Sequence, residues 1–202
     1  MMRHGMAIAI ALLSVVAAAC SSGSNATPPA GQTVPPSPAS PVAPATPALA
    51  GRWEQARHCR DLVKSLDQLG LGTTAPAAVG DFFPNVPAQQ LANKPAICSG
   101  AKPSPHSHFF TSTGQFGSLD QALSQVDNGH YALVNANTVQ INGSKFHYTI
   151  TGGNTLALDP VITSAMRAKA LSDPLKFSTA VWMVTVAYPG TTWTRVSCGS
   201  WC

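Results

Sequence analysis

Charge is scarce in this chain. Of its 202 residues only 10% are charged, with eight acidic and twelve Lys or Arg side chains. The carboxylates are few and scattered, so no pair has the spacing that acid–base hydrolysis needs. The basic residues form no run or stripe, and with them goes the electrostatic footprint of a nucleic-acid partner. A Gly-x-Ser-x-Gly elbow is absent, and so is a Cys-x-x-Cys pair; the first would mark a serine nucleophile and the second a redox or zinc site. There is no internal repeat and no second long apolar run. These absences weigh against an enzyme and call for no cofactor.

What is present begins at the N-terminus. A basic start (Arg3, with His4) precedes an apolar run from Met6 to Ala19. At about 1.5 Å per residue, a helix of that length falls short of the roughly 30 Å hydrocarbon core. Residues 1–19 therefore read as a signal peptide. The run ends Ala17-Ala18-Ala19-Cys20, which resembles the lipobox of bacterial lipoproteins. That resemblance implies a diacylglyceryl group on the Cys20 thiol, cleavage just before it and acylation of the new N-terminus. Ala17 stands where Leu is more usual, and Ala17-x-Ala19 also suits ordinary signal peptidase, the route to simple secretion. Cysteine parity favours the lipid. Of five cysteines, Cys20 would be lipidated, leaving Cys59, Cys98, Cys198 and Cys202 to pair. The expected location is the extracytoplasmic face of the cell membrane, with the membrane itself as a partner through the anchor.

Residues 20–50 form the next unit: the lipidated cysteine and a tether. The stretch 21–50 has eight prolines, no charge and no aromatic. Nothing in it can be buried to offset ordering entropy, so it reads as a disordered, partly polyproline-II spacer. Residues 51–202 are a length suited to a single domain.

Within that domain, Gly51-Arg52-Trp53 opens a first strand. Arg60 to Leu71 sets Leu62, Val63, Leu66 and Leu69 at helical spacing. Residues 73–105 read as loops with one short helix near Ala88–Asn93. Strand patterns start at His106. The clearest section, 130–159, alternates HYALV, TVQI, KFHYTI and TLAL with Asn- and Gly-rich turns, the signature of an antiparallel meander. In KFHYTI, Phe146, Tyr148 and Ile150 should face the core, and His147 and Thr149 should face out. A helix is expected at Ser164–Leu171. Ala180–Tyr188, apolar throughout, reads as a central strand covered on both faces; Thr191–Cys198 follows as a last strand. The fold class is therefore mainly β with minor α: a small antiparallel meander barrel of seven or eight strands, disulfide-bonded, with one or two short helices and a loop-rich insertion. Gly51-x-Trp53 resembles the G-x-W opening of lipocalin-like (calycin) barrels, and the whole domain resembles uncharacterised secreted lipoproteins of high-GC bacteria.

Three constellations could carry function. Export places Cys59, Cys98, Cys198 and Cys202 in an oxidising setting, where structural disulfides are expected. Cys59–Cys98 would staple the irregular insertion, Cys198–Cys202 would lock the C-terminal end, and cross-pairing stays open. His106 and His108 share one strand face, a spacing that zinc or copper could use if His130 or His147 supplied a third ligand; otherwise they are solvated or hydrogen-bonded histidines. The aromatics Trp53, Phe109, Phe110, Phe116, Trp182, Tyr188 and Trp193 either fill the core or line an apolar cavity. The favoured function is a lipid-anchored, non-catalytic binding module for a small apolar ligand or an envelope component, with a structural or interaction protein of the envelope, or a metal-dependent enzyme built on His106 and His108, as alternatives. Replacing Cys20→Ala should block lipidation and leave the protein unprocessed or detergent-independent. If the variant still sediments with membranes like the parent, the anchor is wrong.

Overall fold

The computed structural model describes residues 48–201. The expected signal peptide, Cys20, most of the expected tether and Cys202 lie outside the described residues. Among the described residues, no helix is long and apolar enough to cross a membrane.

Eight strands close into an antiparallel barrel in strict sequence order. They are β1 (Gly51–Arg57), β2 (Ser104–Phe110), β3 (Gln115–Leu119), β4 (Gln125–Asn135), β5 (Thr138–Ile141), β6 (Ser144–Thr151), β7 (Thr155–Pro160) and β8 (Trp193–Val196). Closure comes from β1 pairing with β8, with Trp53 opposite Arg195, so no edge is left unpaired. The expected fold class is the observed one. The hairpin residues act as their chemistry dictates: Asn142 and Gly143, at φ 48° and 82°, make the tight β5–β6 turn.

Antiparallel order sends alternate connections to opposite ends. One end carries the short turns after β2, β4 and β6. The other carries the two long connections, β1–β2 and β7–β8, and these hold every helix of eight or more residues among the described ones. The first contains α1 (Cys59–Gln68), α2 (Ala75–Phe82) and α3 (Ala88–Leu91); the second contains α4 (Ser164–Ser172) and α5 (Thr179–Ala187). α1 lays Leu62 and Leu66 into the core. A Cys59–Cys98 disulfide closes a 39-residue separation around α1 to α3, a loop long enough for a stabilisation of about 2–4 kcal/mol.

Two segments differ from their sequence expectation. Residues 73–105 hold α2 as well as α3. Pro76 looks like a breaker but sits in the first turn of α2, where its missing N–H costs nothing. Ala180–Tyr188 is a helix, α5, and not a central strand. A nine-residue apolar run carries no periodicity that separates a buried strand from a buried helix, and a helix apolar on all sides is stable only when surrounded. Its ends did signal a helix. Val181 N–H donates to Ser178 Oγ at the N-cap, and Tyr188 turns into the left-handed region just before Pro189-Gly190.

Large side chains pack the short-turn end of the barrel. At the short-turn end, Trp53 donates its indole N–H to Leu49 O and is covered by the Arg195 guanidinium, 4.2 Å from the ring centre. Phe110 packs against Phe116 at a tilt and edge-to-face against Tyr131, at 5.3 and 5.1 Å between ring centres. Phe109 instead points outward onto Trp201. Gly51 explains the first position of the G-x-W sequence. Its φ is +142°, and a Cβ there would lie 2.8 Å from Arg195 Nη1. Gly51→Ala should therefore strain the backbone and displace Arg195, lowering unfolding free energy in urea by about 1–3 kcal/mol; an unchanged midpoint would contradict this account of the closed end.

Candidate functional site

The inward positions of β1 and β2 build the site. Period-two alternation aims Trp53, Gln55 and Arg57 into the barrel from β1, and His106, His108 and Phe110 from β2. Register sets Gln55 opposite His106 and Trp53 opposite His108. It continues with His108 opposite Ser118 and Ser118 opposite Asp127. A polar stripe thus crosses four strands inside an otherwise apolar barrel and emerges at the helical end.

Arg57 is the exceptional member. Its side chain is buried, at 2% exposure. Its guanidinium carbon lies 5.1 Å from the ring centre of Phe82 and 5.6 Å from those of Tyr188 and Trp193. This aromatic box offsets part of the desolvation cost. No carboxylate completes it: neither ion pair recorded among the described residues includes Arg57. Nε and Nη1 are buried without a hydrogen-bond partner. Burial pushes the guanidinium pKa down to about 9, partly countered by Tyr188, which leaves it a cation at neutral pH.

The two histidines are brought together, with ring centres 5.1 Å apart. His108 uses both nitrogens: Nε2 lies 2.9 Å from the Val186 carbonyl and Nδ1 2.9 Å from Ser118 Oγ. A carbonyl only accepts, so Nε2 carries the proton and Ser118 donates to Nδ1. Burial, then the nearby Arg57 charge, pushes the His108 pKa down to about 3, against a small upward pull from the Val186 hydrogen bond. Burial, Arg57 and His108 lower that of His106 further still. Both rings are neutral at physiological pH. His130 and His147 sit on exposed positions of β4 and β6, away from the pair, and no group of three metal-ligating side chains forms among the described residues. Neither His130 nor His147, the two residues that could have completed a metal site, joins the pair, and His108 has no nitrogen to spare.

Between this stripe and the helices lies a cavity of about 400 Å³, into which Arg57, His106, Asp127, Phe82, Phe177 and Trp182 face. Trp182 is fixed by donating its indole N–H to Asp127 Oδ2 at 3.0 Å. Phe82 and Phe177 stack at 6.0 Å, joining α2 to the α4–α5 loop. His106 borders the cavity with a ring that makes no hydrogen bond to a described residue, so it offers both a donor and an acceptor. Among the aromatics named from sequence, Trp182 lines this cavity, and Trp193 and Tyr188 bound the Arg57 box behind it. Arg57 and Asp127 were missed. The only signal for Arg57 was its even spacing from Trp53. Cys59 and Cys98 staple the helical end, and Cys198 is disulfide-bonded as well.

The buried neutral histidines set a pH dependence. The unfolded chain takes up protons near pH 6.5, whereas the folded chain resists until far lower. Stability is therefore full above about pH 6.5 and falls as pH drops below it, by about 1.4 kcal/mol per pH unit for each histidine. Guanidinium unfolding at about pH 7 and pH 5 should differ by roughly 2–4 kcal/mol, and a flat profile would contradict the buried pair.

Compared with known proteins, the chain matches no family model and no curated protein by sequence; the functional reading rests on the residues of this cavity.

Proposed function

We propose that this protein is a lipid-anchored, extracytoplasmic and non-catalytic binding module whose ligand is a small organic anion held at the helical end of the barrel. The anchor rests on the Ala17-Ala18-Ala19-Cys20 sequence and the cysteine parity. The ligand class rests on one observation: Arg57, buried, charged and unpaired, borders a cavity of the size of a small molecule. An uncompensated buried cation costs several kcal/mol. A carboxylate or phosphate entering the cavity would relieve that cost and could bind the guanidinium fork through two parallel hydrogen bonds. His106 supplies a neutral donor beside it, and Phe82 and Phe177 supply an apolar wall for the rest of the ligand. The small apolar ligand expected from the sequence thus becomes one with an apolar body and an anionic head, because the cavity at the helical end has a cationic floor.

A structural role and a binding role for Arg57 separate cleanly. Arg57→Met keeps the length of the side chain and removes the charge. Replacing an unpaired buried charge with an apolar group is often neutral or stabilising. The variant should unfold at the same or higher denaturant concentration, while its affinity for hexanoate, measured by titration calorimetry, falls by about tenfold or more. Equal hexanoate binding by Arg57→Met and the parent would overturn the proposal, as would no hexanoate binding by the parent.

A further inference from the structure

The cavity that ends on one cation is lined by three carboxylates. Asp81 lies near the end of α2, Asp120 just after β3, and Asp127 on β4. None pairs with Arg57. Asp120 Oδ1 accepts the backbone N–H groups of Ala122 and Ser124, and Asp127 Oδ2 accepts the Trp182 indole N–H. Asp120 Oδ2, Asp127 Oδ1 and both Asp81 oxygens make no hydrogen bond with a described residue. The three do not converge as a metal site. Aromatic faces lie among them: Phe82, Phe177 and Trp182 border the same space. Carboxylates beside aromatic faces are the surroundings that stabilise an ammonium group. A purely anionic ligand would meet repulsion from the carboxylates on its way to Arg57.

We infer that the ligand is amphoteric: its anionic group meets Arg57 on the cavity floor and an ammonium group on the same molecule meets the carboxylates of Asp81, Asp120 and Asp127. This deepens the proposed anion-binding function and rests on it. Charge is then balanced at both ends of the ligand, and aromatic faces border both ends, Phe82 among them. Specificity follows from the pairing of opposite charges across one cavity, since a simple alkanoate satisfies only the floor and a simple amine only the carboxylates.

The test uses the full chain in detergent and titration calorimetry near neutral pH. β-Alanine, γ-aminobutyrate and ε-aminohexanoate are each compared with the alkanoate and the alkylamine of the same length. At the best length, the amino acid should bind about tenfold or more tightly than its alkanoate. The double variant Asp81→Asn with Asp120→Asn should erase that preference while alkanoate binding is kept or tightened by the lost repulsion; Asp127 is kept because it positions Trp182. Alkanoates that bind as well as the amino acids at every length, and lose affinity in Arg57→Met, would overturn the amphoteric ligand and leave the anion site standing. Alkylamines that bind best, or a chain that binds none of the three classes, would overturn both.

Discussion

A guanidinium carried into the end of a closed barrel, with no carboxylate against it, is the constraint around which this molecule is organised. Arg57 is tolerated because three aromatic rings, from α2, from the end of α5 and from β8, surround it. Those rings come from segments far apart in the chain, so the box exists only when both long connections are folded over the same end. Burial, and after it the field of this cation, keeps the neighbouring His106 and His108 unprotonated. A charge, two neutral rings and a cavity are thus one electrostatic unit.

The barrel explains why that unit sits where it does. Eight strands in sequence order place both long connections at one end, and the other end is closed by Trp53 beneath Arg195. The interior is occupied by aromatics and by contacts from α5, whose Val186 and Ala187 carbonyls accept from His108 and Trp193. The cavity that reaches the buried polar stripe opens beneath the helices. The Cys59–Cys98 bridge lies in the connection that carries Phe82 to that place, so the staple and the site are coupled through α2.

Much of the frame could be read in the sequence. Asn142-Gly143 and Gly152-Gly153 marked the hairpins because few residues accept their positive φ angles, and the alternation of Phe146, Tyr148 and Ile150 marked the inward face. The pairing of Cys59 with Cys98 was among the alternatives. What escaped was α5, where an apolar run hid the difference between two buried states, and α2, which lies in the stretch 73–105 that read mostly as loop. The site escaped for a different reason. His106 and His108 announced themselves by spacing, but a spacing of two is shared by metal ligands and by buried hydrogen-bonded pairs. Only the third dimension, with Ser118 and Val186 on the two nitrogens of His108, decided between them. Arg57 has nothing local to mark it. Its meaning comes from the missing counter-ion, and an absence of that kind belongs to packing.

The central claim is that the Arg57 guanidinium is the anchor for an anionic ligand group. Its most direct test is the side-chain Nε–H resonance of Arg57, followed by nitrogen-edited NMR while hexanoate is added. The account predicts a saturable shift of that resonance and slower exchange of its proton with water. A resonance that stays in place through the whole titration would contradict it.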